Sequence, residues 1–242
     1  NYPGDLGFLE RVFHKLMLNF TWWVNRKDAD GRNVFQGGFL GLDNIGVFDR
    51  SAPLPTGGYL EQADGTAWMA MLSLNLLQIA VELSVQEAEY ADLCERFIFD
   101  FVQLAVTLNT VVTTQRNFLN WDEQDGFFYD LLRLPDGQAM RLKVRSLVGL
   151  LPLCASTVFE ADSITRYPKL MQMIAQFRER HPELLSHLAP TEAGFIGYRE
   201  RRCLSILNQR KLERVLGYPL GRFTLDAEGR SRALADARAL AK

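Results

Sequence analysis

The sequence predicts an all-α fold built from helical hairpins, with one β-hairpin inserted at about residues 127–144. Three observations predict it. Long stretches carry apolar residues at spacings of three and four, helices apolar all round alternate with helices apolar on one face, and paired apolar strand-like runs flank Pro135-Asp136-Gly137. The 242 residues correspond to one large domain or two small ones.

In chain order, Asp5 is placed to cap a first helix. Leu9, Val12, Phe13, Leu16, Met17, Phe20, Trp23 and Val24 then form one apolar stripe, and a charged Asp30-Gly31 turn ends the element. From Asn33 to Tyr59 the periodicity vanishes, and glycines (37, 38, 41, 46, 57, 58) and prolines (53, 55) mark a long irregular loop. Its apolar and aromatic residues, among them Phe35, Phe39, Leu42, Ile45 and Phe48, argue against disorder. The segment from Glu61 to Leu83 is apolar over most of its circumference and reads as a buried helix. From Gln86 to Asn109, Tyr90, Leu93, Phe97, Phe101, Leu104 and Leu108 form one stripe, with charges elsewhere, so this helix reads as an outer one. The runs Phe127–Leu134 and Met140–Val144 make the hairpin, because Asp136-Gly137 supplies the positive φ of a tight turn.

Helices are expected again over Ser146–Phe159, over Arg166–Arg180, where His181-Pro182 stops the element, and over Arg202–Leu216. Beyond Gly217 few large apolar groups remain to pack. Residues 1–216 therefore form the expected domain, and 217–242 a divergent tail with little reason to order. Paired buried and amphipathic helices suit a ring of helical hairpins, and they suit an ordinary layered α-bundle equally well.

Composition removes several function classes. With 48% hydrophobic and 23% charged residues the chain is globular, and 27 basic against 29 acidic residues leave a net charge of -2. That balance gives no general footprint for nucleic acid or for an anionic membrane. Cys94, Cys154 and Cys203 have neither metal spacing nor a paired framework, and read as reduced core thiols in a cytoplasm-like compartment. The apolar run Leu147–Phe159 is too short and too interrupted to cross a bilayer. The chain opens Asn-Tyr-Pro-Gly-Asp rather than with Met, so it is expected to be part of a longer polypeptide. The glycines match no nucleotide-binding motif, His14, His181 and His187 have no ligand-spaced partners, and no cofactor or metal is expected. The basic stretch Arg199, Arg201, Arg202, Arg210, Lys211 and Arg214 reads as a solvated face.

Chemistry concentrates in the loop from Gln36 to Arg50. A carboxylate among apolar groups has its charged form desolvated, which favours the protonated state that a general acid needs. Asp43 has that setting, whereas Asp49 is followed by Arg50, and an adjacent cation favours ionisation. Asp43 equally suits a turn-capping role, which Asp-Asn pairs often take. Trp22, Phe39, Phe48 and Trp68 are near the loop in sequence and suit stacking on sugar rings.

Taken together, Trp22-Trp23 with Asn25-Arg26-Lys27-Asp28, the segment Gly41-Leu42-Asp43-Asn44, and Asp125-Gly126-Phe127-Phe128-Tyr129-Asp130 resemble glycoside hydrolase family 63. The likeness is to its bacterial branch, which is similar to the mannosylglycerate hydrolases, and it spans about residues 5 to 216. The resemblance implies a six-hairpin (α/α) toroid, incomplete here, and inverting hydrolysis of an α-linked glucoside or related sugar. It places the general acid at Asp43, with Trp22, Phe39, Asn44, Phe48 and Trp68 as substrate-binding residues. It also implies a carbohydrate substrate and a Glu base farther along than this chain reaches, so these 242 residues alone are expected to be inactive. The competing expectation is a non-catalytic carbohydrate-binding or structural α/α domain.

Overall fold

A computed structural model describes residues 4–25, 35, 40–109, 120–161, 167, 172, 175, 176, 179, 180, 182 and 198–223. Helices α1 (Leu6–Val24), α2 (Ala63–Leu83) and α3 (Glu89–Asn109) precede a strand-rich segment, and α4 (Gln209–Phe223) follows it. Among the described residues the strands form three antiparallel sheets. These join β1 (Tyr59–Glu61), β4 (Asp130–Arg133) and β5 (Ala139–Leu142), pair β2 (Trp121–Asp122) with β3 (Phe127–Phe128), and pair β6 (Ser156–Phe159) with β7 (Arg202–Ser205). The fold is therefore mixed helix and sheet, and the all-α toroid expected from the sequence is incorrect.

The first three helices form where the periodicity places them. The Asp5 carboxylate accepts from the Phe8 amide at 2.8 Å and caps α1. Phe13 meets Tyr90 edge-on at 5.3 Å, and Phe20 meets Phe97 at 5.5 Å, so α1 runs parallel to α3. The short connection through residues 84–88 turns α2 antiparallel to α3. The C-terminal end of α1 and the N-terminal end of α2 consequently lie at the same end of the helical layer. Helix α2 is buried on most sides because α1, α3, β6 and the turns at 147–154 all pack on it. It is long and apolar enough to cross a membrane, yet 67% of its most apolar window is buried inside the fold. Cys94, Cys154 and Cys203 are all free thiols, but only Cys94 of α3 is the core thiol expected, its thiol pushed up to about 12 by burial; Cys154 and Cys203 are exposed, on a 3-10 turn and a two-stranded sheet.

The hairpin forms around Pro135-Asp136-Gly137, with Gly137 at φ 83°, but it spans β4 and β5 only. Phe127 and Phe128 instead face Asp122 and Trp121 across a second hairpin, whose turn is made by Gly126 at φ 68°. Asn120 joins the two, since its amide group donates to the carbonyls of Glu61 at 3.1 Å and Tyr129 at 2.9 Å.

One expected helix is replaced and another begins later than expected. Residues 147–149 and 151–154 are single 3-10 turns, and Ser156–Phe159 is strand. Gly149 lies against the Phe127 ring and the Phe128 carbonyl, where a Cβ would clash, and Pro152 removes a helical donor. Over Arg202–Leu216 the first four residues pair with β6, and helix begins at Gln209, where Asn208 Oδ1 accepts from the Lys211 amide at 2.9 Å. Helix α4 continues past Gly217 to Phe223. There Tyr218 donates to the Asp125 carbonyl at 2.5 Å and packs edge-on against Phe127. The charged turn expected at Asp30-Gly31 lies outside the described residues, as do most of the helix expected over Arg166–Arg180 and residues 224–242.

Gly58 precedes β1 so closely that a Cβ there would fall on the Arg133 carbonyl of β4. Gly58→Ala is therefore expected to destabilise by about 1–3 kcal/mol or more, because backbone cannot yield as a side chain can. Gly46→Ala, which meets nothing within 4 Å, is the control and should be within about 0.5 kcal/mol of wild type. Urea midpoints compare the two. Equal midpoints would mean that β1 and β4 do not approach as described.

Candidate functional site

The first turn of α2 needs acceptors for its free amides, and two carboxylates supply them. Asp130 Oδ1 on β4 accepts from the Ala63 amide at 3.0 Å, and Asp64 Oδ1 accepts from the Gly65 amide at 2.8 Å. The Asp64 and Asp130 side chains are only 1% and 10% exposed, so their charges require a buried cation. Arg50 provides it. Its Nη1 donates to Asp64 Oδ2 at 2.9 Å while Nη2 contacts Asp64 Oδ1, a two-point grip. Its Nε lies 3.0 Å from Asp130 Oδ2, although the N–H is not aligned for a hydrogen bond.

The same arginine anchors the glycine-rich loop. Its Nη1 also donates to the Leu42 carbonyl at 3.2 Å, and its backbone amide donates to the Asp43 carbonyl at 3.0 Å. Gly41, at φ 71°, gives the chain the left-handed step just before this segment. Asp43 is half-buried, and its Oδ1 is buried without a hydrogen-bond partner. It adds to the negative field that keeps Arg50 charged. Among the described residues no ion pair joins Asp43 to Arg50 or to any other cation.

A recess of about 320 Å³, counting its open mouth, lies between loop residues 45–48 and strands β4 and β5. Arg50 and Asp130 supply its charges, Ser146 a hydroxyl, and Phe48 its aromatic side chain. Asp43 is not among the residues lining it. Burial pushes the Asp130 carboxyl up to about 6, with Arg50 pulling in the opposite direction. A folded pKa above the unfolded one means that the native state holds a proton the unfolded chain has lost. Stability from this group is therefore full below about pH 4 and declines as pH rises to about 6, by on the order of 2–3 kcal/mol. Asp130→Asn should abolish that decline while keeping the acceptor for Ala63. Asp122, held below its usual range mainly by the Asp125 amide and Lys143 against the effect of burial, acts in the opposite direction and at lower pH. Chemical unfolding of both proteins from pH 4 to 7 checks this, and parallel curves would refute it.

The other expected site residues are spread out. Trp22, in the last turn of α1, is 47% exposed, and Trp68, in the second turn of α2, is 38% exposed. Both belong to the end of the helical layer that carries the Arg50–Asp64 pair. Asn44 is exposed and Phe48 half-buried, while Phe39 lies outside the described residues. Asp49 favours ionisation, as expected, but the cause is the Ser51 hydroxyl and amide rather than Arg50, which points into the interior. Sequence reasoning missed the Arg50–Asp64–Asp130 cluster. Its signal was single charges in apolar surroundings, Asp64 in a helix apolar all round and Asp130 in the run from Phe127 to Leu134. The basic face of α4 is also not simply solvated: Lys211 and Arg214 lie over the Trp121 ring at 4.9 and 5.7 Å.

No family model matches the chain, and no solved structure matches it. Among curated proteins it is similar to "Uncharacterized protein YMR196W" of Saccharomyces cerevisiae, with 43% identity over 224 residues. That alignment covers 88% of this chain and 20% of the yeast protein, so the chain spans about a fifth of the length of the curated relative it matches.

Proposed function

We propose that this chain carries the acid-bearing loop of a glycoside hydrolase that cleaves an α-linked glucoside or related sugar with inversion, and that Asp43 is the general acid. The observation that supports this reading most is the buried, unpartnered Oδ1 of Asp43. A carboxylate oxygen shielded from water and without a donor is costly, and the cost is removed when the oxygen carries or shares a proton. A glycosidic oxygen beside it would receive that proton as the bond breaks. The exposed Trp22 and Trp68 at the same end of the helical layer offer apolar faces for sugar rings. Asp64 and Asp130 are committed to Arg50, so neither is free to activate water, and the base is assigned to neither.

The test is Asp43→Asn in the intact protein, read on one α-glucoside whose leaving group needs a proton and one whose leaving group does not. A loss confined to the first substrate supports the reading, and equal losses on both refute it.

A further inference from the structure

The contacts of Arg50 go beyond charge balance. One residue joins four places: its fork grips Asp64 in the first turn of α2, its Nε faces Asp130 on β4, its Nη1 holds the Leu42 carbonyl, and its own amide holds the Asp43 carbonyl. The α2 and β4 ends are rigid because both are buried and paired, whereas residues 40–58 contain neither helix nor strand. Two of the four contacts fall on the backbone immediately before and at Asp43. Without them this part of the loop would be held by its local turns, such as the 3.4 Å contact from the Ile45 amide to the Leu42 carbonyl, and by the packing of Leu42 and Ile45 on the core, neither of which fixes the backbone at Asp43.

We infer that Arg50 is a positioning residue, which transfers the rigidity of the α2 N-terminus and β4 to the Asp43 loop and so fixes where the Asp43 carboxyl points. The inference rests on the glycosidase reading for its consequence in catalysis, but the clamp itself is a property of the fold. The planar fork is essential to it. A lysine would bring a point charge to Asp64 without reaching Asp130 and the Leu42 carbonyl in the same geometry. A displacement of the acid by about 1 Å can cost on the order of 10²-fold in rate, so a loosened clamp should be visible in turnover.

The experiment compares the intact wild-type protein with its Arg50→Lys and Asp64→Asn variants, the second being nearly isosteric and retaining the acceptor for the Gly65 amide. Two readouts are taken. Hydrogen exchange follows the residue 50 amide against core amides of α2 and α3, and kinetics give kcat and KM on the two α-glucosides described above. The expected result is exchange at residue 50 that speeds up by more than any loss of global stability speeds up the core amides. With it should come a fall in kcat on the order of 10²-fold for the substrate whose leaving group needs a proton, with KM and the other substrate little affected. Exchange at residue 50 that speeds up no more than that of the core amides overturns the clamp whatever the kinetics show. Faster exchange with equal losses on both substrates, or with none, overturns the positioning role. If wild type turns over neither substrate, the glycosidase reading fails on its own account, and the exchange readout alone decides the clamp.

Discussion

Arg50→Met is expected to destabilise the protein at pH 7 by about 3–5 kcal/mol or more, the range for breaking a buried ion pair by removing one partner. Here the effect should reach the upper end, because one substitution orphans two carboxylates. The Arg50 side chain is 2% exposed, and Asp64 and Asp130 cannot recover their lost interactions from water. Against a typical stability of about 5–15 kcal/mol, such a loss leaves a marginal fold. The penalty should shrink as pH falls from 7 towards about 6 and then level off, since without Arg50 the Asp130 carboxyl, which burial already pushes up to about 6 in the wild type, holds its proton to higher pH and one uncompensated charge is removed. A triple variant, Arg50→Met with Asp64→Leu and Asp130→Asn, should recover much of the stability, because an apolar replacement of a whole buried charge cluster is often neutral. Urea unfolding at pH 7 and pH 5 measures all of this. A variant as stable as wild type at pH 7 would mean that the cluster is hydrated rather than buried.

The same cluster shows why the site was only partly legible. The glycine-rich loop that carries Asp43 is local, so the sequence displays it. Arg50 and Asp64 are 14 positions apart and Ala63 and Asp130 are 67 apart, and nothing in helical or strand periodicity links positions at such separations. Helices α1 to α3 were legible because an amphipathic or fully apolar helix repeats its pattern over many turns. The hairpin at Asp136-Gly137 was legible because its turn chemistry is contained in the turn.

Strands of two to four residues are too short for alternation to stand out, and that is where the all-α expectation failed. Residues 156–159 lie in an apolar run that suits a helix as well as a strand. They become strand because residues 202–205 pair with them, a decision made far away in the chain. The helix expected from Arg202 loses its first residues to the same pairing. Close packing adds a second constraint that composition does not display: Gly149 is small because the Phe127 ring and the Phe128 carbonyl leave no room for more.

Asp43→Asn should lower the rate of hydrolysis of an α-glucoside with a poor leaving group by about 10²–10⁴-fold, the usual contribution of a general acid. The exchange keeps the shape of the side chain and removes the transferable proton, so KM should change little. Stability should also change little, since Asp43 Oδ1 has no hydrogen-bond partner to lose. With a leaving group that departs without protonation, such as fluoride, the loss should be slight, because the bond can break before any proton arrives. Asp49→Asn is the control. Asp49 lies in the same loop, but its carboxylate is exposed and bound to Ser51, and its replacement should leave both rates unaltered. The measurement is kcat and kcat/KM for the three proteins on both substrates, with unfolding midpoints taken alongside. Equal losses on the two substrates would assign Asp43 to holding the loop or the sugar. Full activity on both would make it a turn-capping residue, and the acid would have to be sought elsewhere.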